Sequence, residues 1–108
     1  MLEFRETEIF TRDITSLLTD DEYAELQGTL IVRPEAGDLI PGTSGLRKLR
    51  WSQQRRGKGK RGGSRVIYYW AVSADQLLLL LIYSKSERDD LTPQQLRTLK
   101  RIVEEEYP

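Results

Sequence analysis

The sequence predicts an α+β domain: a small antiparallel sheet of about four strands, an N-terminal helical hairpin on one side and a C-terminal helix, in the order β-α-α-β-β-β-α. Three observations lead there. Apolar residues recur at helical spacing through the first third of the chain. Between Leu46 and Lys85, three segments rich in aliphatic and aromatic residues are separated by glycine and turn residues. After Thr92 the helical spacing returns. At 108 residues the chain has length for one core, so residues 1–108 are expected to form a single domain.

The elements follow in order. "EFR" near the start reads as a short edge strand, and Ile9, Phe10, Ile14, Leu17 and Leu18 then mark a first helix. In "TDDE", Thr19 sits at an N-cap with Glu22 three residues on, a capping box. Tyr23, Leu26, Leu30 and Ile31 share one face of that second helix, which Pro34 ends. "RPEAGDLIPGTSG" is loop by composition. The segments "LRKLRW", "SRVIYYWAV" and "QLLLLLIYSK" read as strands, the first two joined by a basic glycine loop and the last two by "SAD". The last strand is apolar on both faces, which places it inside the sheet with something covering each side. "TPQQLRTLKRIVEEEY" carries Thr92 as N-cap, Pro93 at the first helical position, Gln95 completing a capping box, and Leu96, Leu99 and Val103 as its stripe.

Composition narrows the chemistry. The chain has no cysteine and no histidine. Disulfides, thiol nucleophiles and thiolate metal sites are excluded, as are the commonest general base and metal ligand. Any catalysis must draw on Lys, Arg, Tyr, Asp, Glu or hydroxyl groups, and neither a metal nor a cofactor is expected. "MLEFRETEIF" has no apolar signal core, and the run from Leu77 to Tyr83 is far short of a membrane span, so a cytoplasmic location is expected.

The formal net charge is zero, yet the charge is segregated. Residues 39–74 hold nine of the seventeen cations (Arg47, Lys48, Arg50, Arg55, Arg56, Lys58, Lys60, Arg61 and Arg65) and no acid. The rest of the chain holds eight cations and all seventeen acids. Such a charge dipole attracts a polyanion, and an RNA backbone suits it. Alternation along the strands sharpens the picture. Lys48 and Arg50 share a face with Leu46; Arg65 lies with Ile67, Tyr69 and Ala71; Tyr83 and Lys85 lie with Leu77, Leu79 and Leu81. Antiparallel pairing would then crowd Lys48, Arg50, Arg65, Tyr83 and Lys85 at one end of one sheet face, an arrangement that calls for an anion. The same cations could instead point into water or pair with Glu87, Asp89 and Asp90. Tyr68, Tyr69 and Trp70 could stack on bases, although aromatics in a central strand are more often core.

"GLRKLRW", "RGKGKRGGSRVIYYW" and "LLLIYSKSERDDLTPQQ" together resemble the RelE superfamily of bacterial toxins, in its HigB-like branch. The resemblance implies a metal-independent endoribonuclease that cuts messenger RNA in the ribosome and arrests translation. It implies a cognate antitoxin, a helix-turn-helix protein encoded beside it, and contact with operator DNA only through that antitoxin. By resemblance Lys48 is the general base, Arg50 and Arg65 hold the phosphate, and Lys85 closes the site. Arg47, Arg55, Arg56, Lys58, Lys60, Arg61 and Arg88 are expected to bind RNA. Two positions depart from the pattern: Ser86 stands where relatives carry arginine, and Thr92 where they carry tyrosine. Tyr83 and Arg88 are the candidates to fill those roles. A lysine acts as a base only when neighbours depress its pKa, and a cluster of cations is one way to do so. The alternative is a non-catalytic RNA- or DNA-binding module with the same basic face.

Overall fold

The computed structural model describes residues 1–52, 63–88 and 90–108. The chain runs through β1 (Glu3–Glu6), α1 (Glu8–Leu17), α2 (Asp20–Val32), β2 (Asp38–Leu39), β3 (Leu46–Trp51), β4 (Ser64–Ala71), β5 (Gln76–Ser84) and α3 (Pro93–Glu106). The architecture is α+β, with one five-stranded sheet in the order β1-β5-β4-β3-β2.

Two features correct the expected sheet. The segment read as loop contributes β2, two residues that pair antiparallel with Lys48 and Arg47 of β3. Proline and glycine on both sides of Asp38–Leu39 hid so short a strand from composition. The sheet is also mixed rather than antiparallel, because β1 runs parallel to β5, from Glu3 opposite Gln76 to Glu6 opposite Leu79. A strand's direction relative to a partner some seventy residues away is set by how the helices return the chain, not by local pattern.

The helix signals correspond closely to the observed ends. Thr7 caps α1, accepting the Phe10 N–H at 3.2 Å. Thr19 and Glu22 form a reciprocal capping box on α2, and Thr92 and Gln95 do so on α3. Ile31 departs from its expected place on the apolar face and is 57% exposed.

Each sheet face carries its own core. Phe10, Ile14 and Leu18 at α1 and Leu26 and Leu30 of α2 pack with Val66, Tyr68, Leu77, Leu79 and Ile82. On the other face Leu99 and Val103 of α3 pack with Leu46, Ile67, Leu78, Leu80 and Tyr83. β5 is thus covered on both sides, which accounts for its unbroken apolar run.

The two clusters expose a break in alternation. Ile67 pairs with Leu81 but Tyr68 pairs with Leu79, so Leu80 is an extra residue in β5. This bulge shifts the strand's parity. Tyr83 therefore lies on the α3 face with Leu78 and Leu80, not with Leu77 and Leu79 as simple alternation requires. Thr7 ties the bulge to α1: its N–H bonds the Leu79 carbonyl at 3.1 Å and its hydroxyl the Leu80 carbonyl at 2.8 Å.

Tyr68 is fully buried, and its hydroxyl fixes the turn after α2. It donates to the Pro34 carbonyl at 2.7 Å and accepts the Gly37 N–H at 2.8 Å. A Cβ on Gly37 would lie 2.8 Å from the Tyr68 ring, so this approach needs glycine. Burial raises the Tyr68 phenol above its ordinary value, with the Gly37 N–H acting in the other direction.

Candidate functional site

Strand register assembles the site. On β3, β4 and β5, Arg50 lies opposite Arg65 and Arg65 opposite Tyr83; one step along the same face, Lys48 lies opposite Ile67 and Ile67 opposite Leu81. Lys48, Arg50, Arg65 and Tyr83 therefore gather at the end of the sheet where β3 ends and β4 begins, on the face that α3 covers further along. The bulge brings Tyr83 into this row by moving it off the helical-hairpin face.

Placing Arg50 directly opposite Arg65 sets two like charges against each other, which costs stability in an antiparallel pair. Arg65 is 6% exposed, and Nη1 reaches the Ser64 carbonyl at 3.5 Å. Carboxylates compensate in part. Arg50 Nη1 is 3.2 Å from Asp38 Oδ2, a residue on the unforeseen strand β2. Lys48 Nζ is 2.5 Å from Asp90 Oδ1. By donating to Asp90, Lys48 holds that carboxyl below the ordinary carboxylate range, and the charges of Arg50 and Arg65 act in the same direction. Asp90 and Asp38 are thus acids of the chain itself that pair with these cations.

Tyr83 and the other candidates differ in their surroundings. Tyr83 is 4% exposed and packs into the α3 core, while the Arg88 guanidinium lies 5.7 Å from its ring centre, a cation–π contact. Lys85 follows the end of β5; its N–H bonds the Gly63 carbonyl at 3.1 Å, and its side chain is exposed. Ser86 lies in the same turn, its hydroxyl 2.7 Å from that of Ser84. Thr92 caps α3, a role a tyrosine could not fill. Arg47 is not brought to the site. By alternation it projects to the helical-hairpin face, where Nη1 donates to the Gly37 carbonyl at 2.8 Å and the Glu35 carbonyl at 3.2 Å. Its work is to hold the turn after α2. Tyr68 and Tyr69 belong to the cores rather than to a stacking surface.

Arg55, Arg56, Lys58, Lys60 and Arg61 lie outside the described residues, as does Asp89. Asp38 is the site residue that the sequence pattern did not reveal. Its signal was its place in a loop next to the basic strand, and only the pairing of β2 with β3 gives that place meaning. Among the described residues, no group of three or more carboxylates could hold a metal ion, and no helix is long and apolar enough to cross a membrane. No model of a known protein family matches the chain.

Proposed function

We propose that this protein is a ribosome-dependent endoribonuclease of the RelE type, HigB-like branch, that cuts messenger RNA and arrests translation until a cognate antitoxin binds it. The observation that carries the reading is the row Arg50, Arg65, Tyr83 with Lys48 beside it. Two arginines set directly opposite each other, one of them buried, form an arrangement whose cost a bound phosphate offsets. The motifs "GLRKLRW" and "GGSRVIYYW" support the same reading.

The chemistry follows from these groups. The RNA 2′-oxygen attacks the adjacent phosphorus while the bond to the 5′-oxygen breaks, leaving a 2′,3′-cyclic phosphate and a 5′-hydroxyl. Lys48, once it has left Asp90 and lost a proton to solvent, receives the proton of the 2′-hydroxyl as a neutral amine, and Arg50 and Arg65 stabilise the charge that builds on the phosphoryl oxygens. The Lys85 ammonium gives a proton to the leaving 5′-oxygen as the bond breaks, and Arg88, which lies over the Tyr83 ring, eases the charge on it. The basic loop and the ribosome hold the RNA in place. The site needs no cofactor in this scheme, and the setting is the cytoplasm.

Primer extension on translated messenger RNA after induction of the gene is the test. The wild-type chain is expected to arrest growth and produce discrete cuts. Arg65→Ala should lower cleavage by about a hundredfold, the scale for one preorganised donor. Arg65→Lys should not restore it, because lysine lacks the planar fork. Ribosome binding should change little in either. Growth without cuts would favour the non-catalytic RNA-binding module; equal losses of binding and cleavage would make Arg65 a docking residue.

A further inference from the structure

Asp90 lies in the connection between β5 and α3, yet its carboxylate sits on the cation face rather than in open water. The oxygen Oδ1 is 2.5 Å from Lys48 Nζ. The Lys48 side chain is only 18% exposed, whereas that of Asp90 is 75% exposed, so the carboxylate approaches from the solvent side onto a cation fixed in the sheet. Asp38 occupies Arg50 from the β2 edge. Asp90 and Asp38 thus bring carboxylates onto the face that holds Lys48, Arg50 and Arg65.

We propose that the Asp90 carboxylate fills, in the free protein, the position that a phosphodiester group takes in the complex, so that Asp90 is an internal competitor of the bound RNA. The inference rests on the nuclease reading for the identity of the phosphate, but it concerns occupancy of the face, not cleavage. A carboxylate and a phosphodiester present the same requirement to an ammonium and a guanidinium: one negative charge and acceptor oxygens. Exchanging one for the other leaves the local charge unchanged. The exchange also disturbs no regular element, since Asp90 lies between the end of β5 at Ser84 and the capping box of α3, which Thr92 and Gln95 close without it. The low pKa of Asp90 keeps it a competitor through the physiological range. A ligand held at a single phosphate must displace the carboxylate unaided, whereas an RNA anchored along the basic segment does so as one contact among many. The displacement weakens both ligands by the same factor, and a polyanion with further contacts is the one left with useful affinity.

The test uses the full chain and two probes: inorganic phosphate, and a short single-stranded RNA carrying 2′-O-methyl groups so that it cannot be cut. Asp90→Asn and Asp90→Ala should each bind both probes more tightly, by up to about fivefold, the upper range for loss of an exposed ion pair. Glu105→Gln, which removes one acid elsewhere on the surface, should leave binding unchanged. In the wild-type protein, phosphate titration followed by NMR should move the Asp90 carboxyl resonance towards that of an unpaired aspartate, a readout that needs no variant to fold. Unchanged or weaker binding by folded Asp90 variants, or an Asp90 resonance that stays put while phosphate binds, overturns the proposal. Tighter binding by the variants together with a wild-type chain that never cleaves RNA would sustain it and remove the nuclease reading; cleavage by wild type with no gain in the variants would do the reverse.

Discussion

Among single residues, Gly63 shows how backbone geometry delivers the site. Its φ is +60°, and a Cβ there would lie 2.1 Å from the Trp51 carbonyl oxygen and 2.8 Å from Ser52 Cα. Those are backbone atoms at the end of β3, so nothing near can yield. The same residue accepts the Lys85 N–H and precedes the strand that carries Arg65. Gly63→Ala is therefore expected to cost about 1–3 kcal/mol, seen as a fall in Tm of roughly 5 °C or more for a chain of this size. A variant melting with the wild type would show that the turn into β4 adapts. Part of this was legible in the sequence. The "GG" pair marks a tight turn and Arg65 its product, whereas the two partners that quiet the cations do not stand out as a pair. Asp90 is one of three acids near a strand end, and Asp38 is one polar residue in a loop. Choosing them needs strand register, which neither composition nor spacing contains.

Among the elements, the caps and the bulge decide which face each side chain joins. Thr92 contributes a cap alone, and Thr92→Ala should destabilise by about 1 kcal/mol. Thr7 does more, because its hydroxyl also bonds the Leu80 carbonyl at the bulge. Thr7→Val, which keeps the shape and loses the hydroxyl, should cost about 1–2 kcal/mol, since the carbonyl at the bulge then loses its donor as well. Urea denaturation of the two variants should rank Thr7→Val below Thr92→Ala; equal midpoints would mean that the Leu80 carbonyl finds another donor. The helices and the three long strands were readable because 3.6-residue spacing, capping boxes and short aliphatic and aromatic runs bounded by turn residues are local signals. The bulge at Leu80 was not. Five consecutive leucines look alike from either face, and only packing against α1 on one side and α3 on the other fixes which of them is extra.

For the molecule as a whole, the segregated charge governs association. Residues 39–74 carry nine cations without an acid, so binding to ribosome or RNA should weaken steeply with salt. Replacing Arg55, Arg56 and Lys58 by glutamine should weaken binding and flatten the slope of log K against log salt by about 0.7 for each phosphate no longer neutralised. On the nuclease reading proposed above, cleavage should persist at saturating RNA, because Lys48, Arg50 and Arg65 stand on strands. Intact binding with complete loss of cleavage would instead assign the chemistry to the substituted residues. The helical hairpin packs on the sheet face away from the row of cations. That separation follows from a sheet with a covered face on each side.

Local signals in the chain were enough to establish the kinds of element, their order but for one two-residue strand, the absence of thiol and imidazole groups, and the basic stretch without acids from residue 39 to 74. Side-chain period, capping chemistry and composition are all written within a few residues of where they act. Other features came only with the assembled fold: β1 runs parallel to β5, Leu80 bulges and turns Tyr83 towards α3, Arg47 faces away from its neighbours Lys48 and Arg50, and Asp90 rather than another acid meets Lys48. Each of these depends on which distant backbone lies alongside and in what register, and register is settled by the burial of whole faces, a property of the complete sheet and of no segment alone.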